Sequence, residues 1–403
     1  MMALPPLALY IHVPWCVRKC PYCDFNSHGV GHGAELPESR YVDTLLADLD
    51  QDLAAVQGRE IVSIFIGGGT PSLFSAAAYQ RLFKGLRQRL DFAPDIEITL
   101  EANPGTVEQS RFEGYRQAGI NRLSIGVQSF ASEQLEALGR IHSGEEAVRA
   151  MRSARNAGFD NVNLDLMHGL PGQTLATALE DIEQALALEP THLSWYQLTL
   201  EPNTEFFSHP PPLPDEERLW DIQDAGHARL ESAGFARYEI SAYARPGRQA
   251  RHNLNYWRFG DYLGIGAGAH GKLSWIDSPG QWRIERRWKT RQPDAYLRRL
   301  NDPRGFIGGG QEVSDRALPL EFLMNALRLT EGVRTDDWEN HTGQALSELT
   351  PRLERARQQG LLMTTSSRLQ ATPQGLLFLN DLLALLDDED SRNDVEPRAT
   401  AGQ

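Results

Sequence analysis

The sequence predicts an α/β chain organised around a parallel sheet. Three observations carry that expectation. Short β-rich runs alternate with helical patterns from the start of the chain. Glycine turns and polar residues recur where those runs end. The chain has 403 residues, 41% hydrophobic and 23% charged. That composition is globular, and the length calls for two or three domains or one large α/β barrel with an appendage.

The strand runs are residues 7–13, 61–66, 96–100, 122–127, 162–166 and 193–198, all short, apolar and rich in β-branched or aromatic side chains. Between them, 40–56, 76–90, 107–118, 144–157 and 175–188 carry apolar residues at helical spacing. In the first of these, Tyr41, Leu45, Leu49 and Leu53 form a stripe beside Asp48 and Asp52. Repeated strand–helix units imply a parallel sheet, either doubly wound or curled into a barrel. Right-handed crossovers put every strand's C-terminal end on one side, where chemistry collects. The runs end, in order, in the cysteine segment, Gly67-Gly68-Gly69-Thr70-Pro71, Glu101-Ala102-Asn103-Pro104, Gln128-Ser129-Phe130, and Asp165 before Gly169-Leu170-Pro171. Any one of these is ordinary turn chemistry; five in register suit a polar ligand.

All three cysteines lie in Cys16-Val17-Arg18-Lys19-Cys20-Pro21-Tyr22-Cys23. An odd, clustered set argues against a disulfide framework. The C-x3-C-x2-C spacing lets three thiolates converge on one centre. A [4Fe–4S] cluster takes four ligands, so three leave one iron open for a small molecule. The alternative is a zinc site completed by His28 or His32. With 40 basic against 54 acidic residues, net −14, no basic field covers the molecule, and nucleic-acid binding would need a local patch. The stretch 1–13 has no basic leader and contains two prolines, and no later run is long enough to span a bilayer. The expectation is a soluble, cytoplasmic protein.

The segment Leu9-Tyr10-Ile11-His12-Val13-Pro14-Trp15-Cys16, continuing to Cys20-Pro21-Tyr22-Cys23-Asp24-Phe25, resembles radical S-adenosylmethionine (SAM) proteins of the coproporphyrinogen III dehydrogenase-like family, and within it the haem chaperones. The resemblance covers roughly the first two hundred residues and implies a partial (β/α)6 barrel. It implies a [4Fe–4S] cluster on Cys16, Cys20 and Cys23, with the amino and carboxylate groups of SAM on the open iron. In such proteins an electron from the reduced cluster cleaves the sulfonium to a 5′-deoxyadenosyl radical. It further implies that Gly67, Gly68 and Gly69 allow backbone approach to the SAM amino group, with Thr70 beside them. Glu101 would face the ribose hydroxyls, and Tyr10 and Tyr22 would flank the cluster and pack on SAM. Gln128, Arg140 and Asp165 match positions that in the related dehydrogenase contact a second SAM; Arg140 also reads as a solvated helix-end arginine.

Residues 202–214 are proline-rich and read as a stiff connector or lid. The stretch Gly264 to Gly271 formally contains G-x-G-x-x-G (Gly266, Gly268, Gly271) and with Lys272 almost matches a phosphate loop, but Leu273 stands where that loop needs Ser or Thr and no Rossmann unit opens here. The glycines read as backbone packed close to the ligand cavity. His252-Asn253-Leu254-Asn255-Tyr256 resembles a haem-chaperone motif, which makes His252 and Tyr256 candidate iron ligands; a lone loop histidine is more often simply hydrogen-bonded. Arg283, Arg286, Arg287, Lys289 and Arg291, with Trp282 and Trp288, would suit haem propionates or form a solvated helix face.

From 314 the pattern changes to helices at 318–329 and 346–357, a hairpin of 361–364 with 368–371, and a helix from the Thr372 cap and Pro373 to 386. This suggests a small winged-helix-like α+β domain. It holds seven arginines against nine acidic residues, net −2, so no DNA binding is expected. The organisation expected is a barrel over 1–205, a connector and ligand-cavity extension over 206–313, the C-terminal domain over 314–386, and a disordered acidic tail over 387–403. Three functions compete: a haem chaperone, an oxygen-independent coproporphyrinogen III dehydrogenase, and an RNA-modifying radical enzyme. The last finds no basic surface or appended RNA-binding motif. The resemblance separates the first two. Dehydrogenases carry a further cysteine two residues after the third ligand, where this chain has Phe25, and an N-terminal extension, where this chain has nine residues before Tyr10. The chaperone is favoured. Its partners would be haem, an acceptor apo-protein and an electron donor for the cluster, and the resemblance leaves room for a homodimer.

Overall fold

The computed structural model describes residues 4–30, 33, 35–106, 109–278 and 281–387. His32, the predicted helix start at 107 and the tail from 388 lie outside them.

Six parallel strands follow one another in space as in sequence: β1 (Leu7–Val13), β2 (Ile61–Gly68), β3 (Phe92–Ala102), β4 (Arg122–Gln128), β5 (Val162–His168) and β6 (His192–Gln197). The helices between them are α1 (Glu38–Val56), α2 (Ala76–Arg87), α3 (Gln109–Ala118), α4 (Ser132–Ala137), α5 (Gly144–Asn156) and α6 (Leu175–Ala187). This is the partial (β/α)6 barrel, with the short α4 as an addition. Alternation along each strand divides the side chains. Leu9, Ile64, Ile98, Leu123 and Leu164 are fully or almost fully buried in one hydrophobic core. The opposite face holds aromatic and polar groups: Tyr10 stacks on Phe65 at 6.4 Å, and Asn163 bonds Ser124 at 2.7 Å and His192 at 2.6 Å. A polar lumen of this kind holds only where its groups find partners. Helix starts are fixed by capping boxes at Ser143 and Thr174 and a Ser75 cap.

The sheet does not stop at six strands. Beyond β6 come β7 (Ala236–Glu239) and β8 (Ala242–Ala244), antiparallel, after helix α7 (Glu216–Ser232). On the other side, β9 (Asp261–Ile265) runs parallel to β1, with Leu7 opposite Asp261. The meander β10 (His270–Ser278), β11 (Gln281–Lys289) and β12 (Ile307–Glu312) then reaches the edge. Helix α8 (Arg251–Trp257) enters the barrel from the N-terminal ends of the strands: the Arg251 N–H donates to Glu97 and the Asn255 amide to the Asp261 carbonyl.

Two expectations are corrected here, and a third segment gains a detail. His252 lies in a helix, not a loop. The arginine-rich segment is the strand β11, not a solvated helix face, and its cations are engaged: Arg287 with Glu285 at 2.8 Å, Arg286 with Glu321, and Lys289 buried between Asp48 and Asp52. Within 202–214, residues Glu205–Ser208 form one helical turn.

After 313, helices Leu318–Ala326, Thr335–Thr342, Thr350–Gln358, Pro373–Leu377 and Leu379–Leu386 surround a second core with Phe322 and Trp338 at its centre. The expected hairpin is present as a Leu362–Ala371 bridge, but its regular ladder pairs Val333–Arg334 with Arg368–Leu369. The last helix breaks at Phe378, and residues 346–348 form a separate 3-10 turn. Among the described residues no helix is long and apolar enough to cross a membrane.

Candidate functional site

A cavity of about 380 Å³ opens at the C-terminal ends of the barrel strands, within the ~300–1,000 Å³ usual for small-molecule sites. Cys16, Cys20, Tyr22 and Cys23 border it from the loop after β1. Gly68, Gly69 and Thr70 border it after β2, Glu101 from β3, Gln128 from β4, Asp165 from β5, and Arg140 from the turn after α4. The strand ends that the sequence put in register thus meet around one space.

Cys16 is buried, and Cys20 and Cys23 are half-buried. Burial pushes the Cys16 and Cys23 thiols up, offset by hydrogen bonding to Thr70 for Cys16 and Ser27 for Cys23. The ligating thiolate form therefore needs a cation beside it. Among the described residues no three Cys, His, Asp or Glu groups stand in ligating geometry. What fits an iron–sulfur cluster is the donor set: three thiols of one loop facing one cavity. His28 does not border this cavity; it bonds Asn26 at 3.3 Å.

The glycines also have a packing reason that the sequence did not suggest. Gly68 has φ +113°, and a Cβ there would stand 2.5 Å from the His12 ring; one on Gly69 would stand 2.5 Å from the Trp15 carbonyl oxygen. Their lack of a side chain serves the packing of the end of β2 against His12 of β1 and of the turn after it against the start of the cysteine loop. The Gly68 N–H donates to Glu101 Oε2 at 3.2 Å.

Burial, then the nearby Asp165 carboxylate, pushes the Glu101 carboxyl up to about 8, with the Gly68 N–H opposing. Burial also raises Asp165, opposed by hydrogen bonds from Asn163 (2.8 Å), Ser194 and Ser124 (3.0 Å). Gln128 is held at φ +68°, a conformation rare for a side-chain-bearing residue, and accepts the Tyr196 hydroxyl at 2.8 Å. Arg140 is no solvated helix-end residue: it donates to the Gly126 carbonyl at 2.8 Å and reaches Cys20 Sγ at 3.6 Å. Tyr196, Ser124 and Ser194 were missed. The period-two alternation Ser124-Gly126-Gln128 and Ser194-Tyr196 was the signal for them.

Tyr10, His252 and Tyr256 stand elsewhere. Tyr10 does not border the cavity; its hydroxyl bonds His12 Nδ1 at 2.9 Å, and His12 Nε2 bonds the Asn26 carbonyl at 2.9 Å. His252 and Tyr256 lie inside the lumen. His252 stacks on Phe65 at 4.8 Å, Tyr256 stands edge-on to it at 4.8 Å, and burial holds the imidazole down near 3. The glycine turn after β9 seats behind the cysteine loop, where the Asn26 amide donates to the Ala267 and Arg291 carbonyls, both at 2.9 Å.

The family model of the Radical SAM superfamily matches residues 10–185, and that of the HemN C-terminal domain matches 313–378. The chain is 54% identical to "Heme chaperone HemW" of Escherichia coli (strain K12) and 51% identical to that of Haemophilus influenzae, each over 96% of this chain and 99% of the relative. It is 34% identical to the mitochondrial radical S-adenosyl methionine domain-containing protein 1 of Bos taurus, over 94% of this chain and 87% of that one. The solved coproporphyrinogen III oxidase HemN of Escherichia coli superposes with a TM-score of 0.78 at 23% identity, over 95% of this chain and 90% of its own; that likeness shows the fold. The cysteine loop, the polar barrel mouth and an identity above one half along both domains lead to one conclusion: the chain belongs to the HemW family of the radical SAM superfamily.

Proposed function

We propose that this chain binds haem and hands it to an acceptor apo-protein, on a radical SAM scaffold that carries a [4Fe–4S] cluster and SAM. The observation that carries the reading is the match to heme chaperones across both domains. Phe25 supports it against the dehydrogenase. It stands where that branch has its further cysteine, and its ring is exposed at the cavity.

Cys16, Cys20 and Cys23 hold the cluster. When bound and reduced, the cluster would supply the electron for cleavage of SAM. The chain's own part is positioning. Glu101 takes the ribose hydroxyls, the 67–70 backbone and Thr70 the methionine end, and Tyr22, Gln128, Arg140 and Asp165 the remaining polar surface. Tyr10 acts at one remove, through its β1 neighbour His12, whose ring bonds the Asn26 carbonyl just past the cysteines. A reductant for the cluster and the acceptor are the macromolecular partners, a homodimer is the assembly proposed, and the cytoplasm the location. The working division is a barrel over 1–205, an extension over 206–313 and a C-terminal domain over 314–386. His252 and Tyr256, the motif's candidates for the iron, would have to leave their stack in the lumen to reach haem.

The test is anaerobic reconstitution with iron and sulfide, followed by separate titrations with haem and coproporphyrinogen III. A shifted Soret band without turnover is the expected result. Repeated conversion to protoporphyrinogen IX, with SAM and a reductant, would overturn the reading in favour of the dehydrogenase.

A further inference from the structure

A second groove, of about 570 Å³, lies at the opposite end of the barrel from the cysteines, between the strand starts and the C-terminal domain. Its apolar lining comes from Pro6, Val62, Ala93, Leu254 and Val333. Arg251, Arg258, Arg334 and Arg368 line it against Asp95 and Asp337, a formal +2 on a chain of net −14. Three of these arginines are engaged: Arg251 with Asp95 at 2.8 Å, Arg334 with Asp336 at 2.6 Å, and Arg368 with the carbonyls of Glu331 and Gly332. The Arg258 guanidinium, exposed, has no hydrogen-bond or ion-pair partner among the described residues.

His341 lines the same groove. Its Nδ1 lies 2.8 Å from the Arg258 carbonyl oxygen. A backbone carbonyl only accepts, so Nδ1 carries the hydrogen and Nε2 keeps its lone pair. This is the outer hydrogen bond that fixes tautomer and ring orientation in metal-ligating histidines. Burial, with Lys272 adding to it, lowers the pKa of His341 and favours the neutral, ligating ring. An apolar wall, a free guanidinium and an imidazole with an open Nε2 are three separate requirements of a flat, iron-bearing dicarboxylate.

We propose that this groove is a haem site, with His341 as an axial ligand of the iron and Arg258 as an anchor for a propionate. The assignment rests on the haem-binding reading above and gives it a place. It leaves His252 where it is packed. Leu254 and Asn255 of α8 line the groove, so a change in the H-N-x-x-Y segment would disturb haem binding without touching iron.

The experiment is titration of the reconstituted full chain with ferric haem, followed by Soret difference spectra, for the parent and for His341→Ala, Arg258→Glu and His252→Ala. His341→Ala is expected to shift the band and weaken binding roughly tenfold to a hundredfold, and added imidazole to restore the parent band. A merely structural loss would not be rescued in that way. Arg258→Glu is expected to weaken binding with the band position unchanged. Parent-like binding by both groove variants overturns the site and leaves haem binding standing. Imidazole rescue of His252→Ala in place of His341→Ala also overturns it. Absence of any haem complex in the parent removes the functional reading and the site together.

Discussion

Glu101 is a carboxyl placed where charge is expensive. Its folded pKa, about 8, is above the value of an unfolded glutamate, so between about pH 4.3 and that value the folded state holds more protons than the unfolded one. Stability from this group therefore falls as pH rises through that window. Glu101→Gln removes the fall. Its thermal midpoint should exceed the parent's by more at about pH 8 than at about pH 5.5; an equal difference at both would show a carboxylate already ionised at the lower pH. In the same position Glu101→Ala should weaken SAM binding by roughly 1–3 kcal/mol, the size of a lost hydrogen bond near a charged ligand. Isothermal titration with SAM reads it directly. The residue was legible in the sequence because it ends a strand run beside an Asn-Pro turn. Its proton was not, because that depends first on burial and then on Asp165, and both come only from the closed barrel.

At the scale of elements, the turn carrying Gln128 is held from outside the barrel. Asp181 of α6 accepts the Ser129 hydroxyl with both oxygens, at 2.8 and 3.0 Å, and the Phe130 N–H at 2.7 Å. That anchor keeps Gln128 at positive φ. Asp181→Ala should lower stability by about 1–3 kcal/mol through the donors left unpaired, and should weaken SAM binding although Asp181 does not border the cavity. Lowered stability with unchanged SAM affinity would show that Gln128 keeps its place unaided. The barrel elements were legible because their periods are clean: β1 spans 7–13 as the pattern predicts, and β2 only gains two glycines. Past residue 205 legibility drops for a physical reason. In β11 the cations Arg286 and Lys289 are neutralised by Glu321, Asp48 and Asp52 from elements far away in sequence, and Arg287 by Glu285 of its own strand with Asp52 at 3.8 Å, so a paired strand reads locally as a solvated face. Helix α8 has seven residues, too few for a helical period to declare itself.

Across the whole molecule, the C-terminal domain is docked rather than tethered. Phe322 packs edge-on to Phe259 at 5.3 Å and to Trp338 at 5.2 Å. Arg328 covers Trp257 at 4.5 Å and pairs with Glu239 of β7 at 3.3 Å. Phe322→Ala should cost about 3–5 kcal/mol and open the boundary near residue 313 to limited proteolysis, while the cysteine loop keeps its cluster absorbance. Loss of both together would mean that the two cores unfold as one. The Asn26 clamp also bears on the order of synthesis. Its two acceptors, the Ala267 and Arg291 carbonyls, lie 241 and 265 residues further along the chain, and β1 lacks one flanking strand until residue 265 has been made. Domains form as their contacts become available during translation, so on the ribosome the three thiols emerge early and their loop is fastened only after residue 291. Metal loading onto a finished loop therefore waits until residue 291 has been made, and a message interrupted before that would release a fragment with its loop unclamped.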